Sequence, residues 1–143
     1  MASRATNANK EDGTRAEEYV AEQVHGERTP NEWYDVLGPA PENRRIEVKS
    51  TQERLSSGRR GRFRLWRSQH ERMKDADGRY WFLIDGREPF QRTPEEVSEV
   101  IDENGLSWTG SGSHEMDNEQ VKIPWSHLID PDSGPPTLIL PKV

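Results

Sequence analysis

The chain contains no cysteine, and this absence excludes disulfide bonds, thiolate metal sites and catalysis by a cysteine nucleophile. It also lacks any run of about 18 apolar residues, the length that a membrane-spanning helix needs. The residues from Met1 to Asp12 are polar and do not contain the apolar stretch of a secretory signal. These absences favour a soluble, cytoplasmic protein with no membrane partner.

Apolar residues are also scarce, at 30% of the 143 residues against 32% for charged residues. A chain of this length forms one domain, and its low apolar content predicts few, short buried elements. The net charge of −6 argues against a uniformly basic surface for nucleic acid. A local basic patch remains compatible with it, because the field at the binding site steers association.

The stretch from Arg45 to Ser50 has the alternating pattern of a short β-strand. Ile46 and Val48 point to one face of such a strand, so Glu47 and Lys49 emerge side by side on the other. This arrangement suits a divalent metal held beside a positively charged group. The plainer alternative is a solvated strand face with an exposed ion pair, which contributes little energy.

Two further acids precede this strand. A helix is predicted from Asp12 to His25–Gly26, and Glu17 lies at the edge of its apolar stripe, which consists of Ala16, Tyr19, Val20 and Val24. The run Trp33–Leu37 predicts a strand that contains Asp35, although aspartate disfavours strands. A hairpin with the next strand would bring Asp35 near Glu47. The alternatives are a surface acid on the helix and a protective charge on an edge strand.

A basic tract follows, in which arginines alternate with glycine and serine and then enter a third strand that carries Phe63 and Leu65. Forked guanidinium groups on a flexible loop suit the binding of phosphates. We therefore predict a nucleic-acid-binding surface here, with an ordinary solvated loop as the alternative. Its candidate residues are Arg54, Arg59, Arg60, Arg62, Arg64 and Arg67.

The second half of the chain predicts further elements. Ser68 is expected to cap a helix that runs to about Asp75, with Glu71 completing a capping box. The run Arg79–Asp85 is apolar on both faces, as in a central buried strand. Thr93 begins a last helix that ends at Asn104–Gly105. Beyond it we expect Trp108, Val121, Ile123 and Trp125 to belong to a terminal hairpin or to a strand added to the sheet, with a flexible tip at Gly110–Gly112.

Gly13, Glu17, Asp35 and the run Ile46-Glu47-Val48-Lys49 together resemble the PD-(D/E)xK nuclease superfamily. The spacing G-x-x-x-E from Gly13 to Glu17 is similar to that of archaeal Holliday-junction resolvases. The run Ser68-Gln69-His70-Glu71, followed by an aromatic strand, looks more like the Mrr-type or DUF3883-like branch. Tyr34 stands before Asp35 in place of the proline of the superfamily motif.

The resemblance implies an α/β fold with a restriction-endonuclease-like core, in which helices flank a mixed central sheet, and a C-terminal α/β extension. The expected domains are a disordered tail over residues 1–11, the nuclease core over 12–86, a helix and hairpin extension over 87–129 and a proline-rich tail over 130–143.

The resemblance also assigns a metal site. Asp35 and Glu47 would supply oxygen ligands for Mg²⁺ or Mn²⁺, with the backbone carbonyl of Val48 as a further ligand. The metal would acidify a water and stabilise charge on the scissile phosphate. Lys49 would orient that water or neutralise the transition state. Glu17 would assist the water or a second metal.

The second helix adds an auxiliary group to this implied site. Gln69 is the first candidate, and His70 and Glu71 are weaker ones. We expect His70 to be a surface histidine.

The function that follows from the resemblance is a metal-dependent endonuclease that hydrolyses phosphodiester bonds in DNA, including structured or branched DNA. The alternative is a catalytically silent module of the same fold that binds nucleic acid or a protein partner. DNA is the expected partner. A homodimer and a protein partner for the C-terminal tail are further hypotheses that the sequence leaves open.

Overall fold

The computed structural model describes residues 2–110 and 119–132, with side chains from Gly13 onward. The helices in these ranges are α1 (Ala2–Val24), α2 (Arg67–Asp75) and α3 (Pro94–Glu103), followed by a 3-10 turn at Trp125–His127. The strands are β1 (Glu27–Arg28), β2 (Val36–Leu37), β3 (Arg45–Thr51), β4 (Arg62–Trp66), β5 (Arg79–Ile84), β6 (Phe90–Arg92) and β7 (Gln120–Pro124).

Five strands form a mixed sheet in the order β1-β2-β3-β5-β6. β2 and β3 pair antiparallel, which confirms the predicted hairpin, and β3 pairs parallel with β5. Parallel neighbours need a crossover connection, and β4 and α2 provide it here. β4 itself pairs antiparallel with β7 in a separate two-stranded ribbon. The predicted α/β fold with helices around a mixed sheet is confirmed.

The central sheet is covered on both faces. On one face, Val20 and Ala21 of α1 pack against Val36 and Ile46. On the other face, Tyr80, Phe82 and Ile84 of β5 join a larger core that includes residues of β4, α2, α3 and β7. β5 therefore is an interior strand that is covered on both faces, as its apolar sequence predicts.

The start of α1 differs from the prediction. The helix begins at Ala2 and not at Asp12, so residues expected to form a disordered tail are helical. The sequence has several alanines before Gly13 and no proline there, and alanine has the highest helix propensity.

The predicted cap of α2 is also wrong. α2 begins at Arg67, and its N-cap residue is Trp66, which forms no side-chain capping bond. β4 runs directly into α2 without a loop, and the backbone N–H of Arg67 is satisfied by the carbonyl of Glu119. By contrast, α3 has the predicted start, because Thr93 and Glu96 form a reciprocal capping box.

The region after residue 86 contributes to the main core. β6, which the sequence did not predict, pairs with β5, and β7 is a strand added to β4, the second of the two predicted alternatives. A single antiparallel bridge joins Gln120 of β7 to Thr109. Val121, Ile123 and Trp125 are buried in the same cluster as Phe63. The domain boundaries themselves stay a prediction.

Two predictions lie wholly or largely outside the described residues. The expected hairpin tip at Gly110–Gly112 extends into residues 111–118, and the proline-rich tail is described only as far as Asp132. Across the part of the chain that is described, no helix has both the length and the apolarity to cross a membrane.

The close approach at Gly61 gives a stability test. A Cβ at this buried residue would overlap the carbonyl oxygen of Gln52 and the hydroxyl of Thr51, whereas a Cβ at Gly13 meets open space. We predict that Gly61→Ala lowers the free energy of unfolding by about 1–3 kcal/mol, the range for overpacking. Gly13→Ala should raise it by about 0.5–1 kcal/mol, since glycine destabilises a helix interior. Urea denaturation measures both changes, and equal stability of the two variants would contradict the packing at Gly61.

Candidate active site

β3 presents an acid and an amine on one face. The Nζ atom of Lys49 lies 3.2 Å from Oε2 of Glu47, as the period of two predicts. Glu47 is only 5% exposed, so the pair is not the solvated ion pair of the plainer interpretation. A charged group in such a place requires partners, because burial of an isolated charge is costly.

Asp35 lies beside this pair, just before β2 and not inside it, which corrects the predicted strand over Trp33–Leu37. Its backbone N–H donates to the carbonyl of Ile46 at 3.0 Å. Its side-chain oxygen Oδ2 accepts the backbone N–H of Val48 at 2.8 Å. The carboxylate thus accepts an amide of β3 in place of a backbone carbonyl of the neighbouring strand. This bond explains why aspartate, a residue that disfavours strands, lies immediately before β2.

Gln69 closes the site from α2. Its Nε2 atom donates to Oε1 of Glu47 at 2.8 Å and to the backbone carbonyl of Trp33 at 2.5 Å. A side-chain amide carries two N–H donors, so both bonds form at once. Gln69 therefore fixes the Glu47 carboxyl and ties it to the segment that precedes Asp35.

Glu17 reaches the same place from α1. The guanidinium of Arg28 donates to its Oε1 atom from Nε at 3.2 Å and from Nη2 at 3.1 Å. Partial burial raises the pKa of Glu17, and the neighbouring Asp35 carboxylate raises it further, whereas Arg28 lowers it. Asp35 therefore interacts with Glu17 as well as with Glu47. The three acids, predicted from separate segments, are brought together around Asp35.

The surroundings of the acid cluster disfavour the ionised form of Glu47. Burial raises the pKa of Glu47 to about 8, and the Asp35 carboxylate adds to this rise, although the Lys49 ammonium opposes it. One ammonium is therefore insufficient to compensate a buried carboxylate with another carboxylate beside it. Strongly shifted acids of this kind are found preferentially at functional sites.

The donor set fits a hard divalent cation in type. It consists of carboxyl oxygens, the hard donors that Mg²⁺ prefers. The raised pKa values of Glu17 and Glu47 show that their neighbours do not fully stabilise the ionised form, which a bound cation would do. In the part of the chain that is described, no three histidine, aspartate or glutamate side chains form a group that could hold a metal ion as they stand. Lys49 and Gln69 bind the carboxyl oxygens of Glu47, and Arg28 binds the carboxylate of Glu17. The role of the Val48 carbonyl as a ligand stays a prediction.

The sequence predicted a surface position for His70, and this prediction is wrong. His70 is 2% exposed, and its Nδ1 and Nε2 atoms lie 2.7 Å from the Tyr80 hydroxyl and 2.8 Å from the Ser98 hydroxyl. These bonds attach α2 to β5 and α3, next to Gln69. His70 therefore anchors the helix rather than facing the acids, and Glu71 pairs with Lys74 on the same helix.

The arginine tract divides into two groups. Arg54, Arg59, Arg60 and Arg62 line one groove, and Arg64 lies on the exposed face of β4. Arg67 is different, because its guanidinium forms an ion pair with Glu119 at 2.6 Å. Its predicted contact with nucleic acid is therefore the least favoured of the six.

Sequence reasoning missed two parts of the site. Arg28, the partner of Glu17, lies on the two-residue strand β1, which is too short to give a periodic pattern. The carbonyl of Trp33 is a backbone group and has no signature in side-chain chemistry. Only the pairing of distant segments reveals either one.

Comparison with known proteins gives a family match for the chain. A sequence model of the PD-(D/E)XK nuclease superfamily domain matches residues 2–130. No curated protein and no solved structure shows a significant match to the chain.

The buried imidazole of His70 gives a prediction for stability against pH. Burial lowers its pKa to about 4 from the ordinary value of 6.5, so the unfolded chain takes up a proton first on acidification. The stabilisation that His70 gives is complete above pH 6.5 and is lost as the pH falls towards 4. Its loss amounts to roughly 3 kcal/mol.

We therefore expect His70→Gln to flatten the fall in the free energy of unfolding between these pH values, measured by denaturant titration. The exposed His127 supplies the control, because His127→Gln should keep the slope of the parent protein. A His70→Gln profile parallel to that of the parent would contradict the assignment.

Proposed function

Because this chain belongs to the PD-(D/E)XK nuclease superfamily, we propose that it is a metal-dependent endonuclease that hydrolyses phosphodiester bonds in DNA. The observation that carries the proposal is the meeting of Asp35, Glu47 and Lys49 with Glu17 at one end of the β2–β3 hairpin. Structured or branched DNA is the first substrate class to test, in line with the resemblance of the Gly13–Glu17 spacing to junction resolvases.

Asp35 and Glu47 would hold Mg²⁺ or Mn²⁺, with Glu17 and the Val48 carbonyl as further donors. When bound, such a cation lowers the pKa of water and offsets the negative charge that develops on a scissile phosphate. The carboxylates are attached to a paired strand and to a backbone amide, so little reorganisation is needed at the moment of reaction.

Lys49 supplies the positive charge. Its side chain is 17% exposed and its Nζ atom lies 3.2 Å from Oε2 of Glu47, so the ammonium is held in a partly desolvated place beside the acids. A cation there stabilises charge on a phosphate more strongly than it would in water. Lys49 would orient the attacking water or neutralise the transition state.

Gln69 is a positioning residue in this scheme. It donates to Oε1 of Glu47 and cannot itself abstract a proton at neutral pH. Its bond to the Trp33 carbonyl keeps the amide oriented, so the carboxyl of Glu47 has one preferred rotamer.

A silent module of the same fold is the second candidate. The observation that favours it is that Arg28, Lys49 and Gln69 already engage two of the acids. In that case the chain would bind DNA and leave it intact in the presence of any divalent metal.

We predict that Asp35→Asn, Glu47→Gln and Lys49→Met each lower metal-dependent cleavage by at least about 100-fold, since loss of one preorganised charge at a reacting centre has this size of effect. The assay uses labelled duplex, single-stranded, flap and four-way-junction DNA with Mg²⁺ or Mn²⁺.

Glu17 and Glu18 provide the matched control. They are neighbours on α1, but Glu17 faces the acid cluster, whereas Glu18 is exposed. Glu17→Gln should reduce cleavage and Glu18→Gln should leave it unchanged. Parent protein that cuts none of these DNAs would support the silent module instead.

Metal binding is tested separately from cleavage. A ligand that binds only the folded state stabilises it, by about 2.7 kcal/mol at 100 times its Kd. We expect Mg²⁺ or Mn²⁺ to raise the Tm of the parent and of Glu18→Gln. Asp35→Asn and Glu47→Gln should lose this rise, and a metal response that survives both substitutions would place the metal elsewhere.

A further inference from the structure

The ribbon formed by β4 and β7 has one buried and one exposed face. Phe63, Leu65, Val121 and Ile123 point into the core. The opposite face carries three exposed cations, with Arg64 directly opposite Lys122 and with Arg62 opposite Pro124. Lys122 lies outside the basic tract that the sequence singled out.

This cationic face opposes the stability of the ribbon. Like charges directly opposite each other on paired strands are destabilising. Among the described residues, no carboxylate pairs with Arg62, Arg64 or Lys122. The three cations therefore stand together without an acid in a chain whose net charge is −6. The arrangement indicates a partner that supplies the missing negative charge.

The cationic face continues into a groove at one end of the ribbon. This groove, of about 620 Å³, is lined by Arg54, Arg59, Arg60 and Arg62 on one side and by Pro124, Ser126 and His127 on the other. Arg62 and Pro124 belong to both ribbon and groove. The guanidinium of Arg60 lies over the Trp125 ring, with its carbon 5.5 Å from the ring centroid, so this side chain is held in place.

The other end of the ribbon leads to the acid cluster. β4 ends at Trp66 and α2 begins at the next residue, so Gln69 lies within a few residues of the ribbon. Four residue steps from Arg62 to Trp66 span roughly 13 Å. A DNA duplex presents about eight phosphates over that length. Along the chain, the cations of β4 therefore lie between the groove residues and the helix that carries Gln69.

We propose that the exposed face of the β4–β7 ribbon, with Arg62, Arg64 and Lys122, is the surface that binds duplex DNA beside the active site. The inference rests on the proposed function and adds a substrate class, B-form double-stranded DNA. The major groove of B-DNA admits a two-stranded β-ribbon, with cations set against the flanking phosphates. The deep, narrow major groove of an RNA duplex does not.

The test is the salt dependence of binding, measured by fluorescence anisotropy on the full chain with a labelled DNA duplex and a chelator, so that no cleavage occurs. Each phosphate contact contributes about 0.9 to the slope of log Kobs against log salt. The double variant Arg64→Gln with Lys122→Gln should therefore lower the slope by about 2 and weaken binding at every salt concentration.

The matched control removes two cations away from the ribbon. Arg44 pairs with Asp77 and Lys74 pairs with Glu71, and neither residue belongs to the ribbon or lines its groove. Arg44→Gln with Lys74→Gln should keep the slope of the parent protein. Equal slopes for the two double variants would overturn the proposal, as would an RNA duplex of the same sequence that binds as tightly as the DNA.

A second variant separates binding from folding. Lys122→Glu replaces the like-charge pair with an opposite-charge pair, so its Tm should rise while its affinity for the duplex falls. A fall in affinity accompanied by a lower Tm would attribute the loss to unfolding and overturn the proposal.

The outcome is distinguishable from failure of the proposed nuclease. Salt-sensitive binding through the ribbon without cleavage removes the nuclease and leaves the ribbon assignment standing. Metal-dependent cleavage with an unchanged KM in the double ribbon variant removes the ribbon assignment and supports the nuclease.

Discussion

The structure depends on one buried carboxyl group, that of Glu47. Its position on a strand with helices on both sides removes it from water, and burial is the largest influence on its raised pKa. Its two polar partners are the ammonium of Lys49 on the same strand and the side-chain amide of Gln69 on α2. Removal of either partner leaves a buried polar group unsatisfied, which is costly. The stability of the fold therefore depends on Lys49 and Gln69 once Glu47 is buried.

The architecture explains how distant segments meet at this carboxyl. The β2–β3 hairpin ends early, so that the side chain of Asp35, rather than a backbone carbonyl, receives the amide of Val48. The crossover from β3 to β5 then passes through β4 and α2, and this route places Gln69 over Glu47. His70, one residue further on, fixes the helix to β5 and α3 through two hydrogen bonds. A mixed sheet with one parallel pair thus gives the acids their geometry.

The sequence predicted what depends on local pattern. The alternation of Ile46 and Val48 with Glu47 and Lys49 was sufficient for β3 and for the shared face of the acid and the amine. Features that depend on pairing between distant segments were missed: β6, the union of β4 with β7, and the burial of His70. The late start of β2 at Val36 was missed as well, because the apolar run around Asp35 predicts a longer strand and only the bond from the amide of Val48 explains the position of this acid.

The direct junction between β4 and α2 has a thermodynamic consequence. Because no loop separates Trp66 from Arg67, a rotation of the strand is transmitted to the helix whose third residue grips Glu47. Any ligand that shifts this junction changes the free energy of the acid cluster, and linkage makes the effect mutual. A cation among the acids and a polyanion on the strand would then alter each other's affinity by the same factor. The acid cluster and the exposed face of β4 would then behave as one cooperative unit.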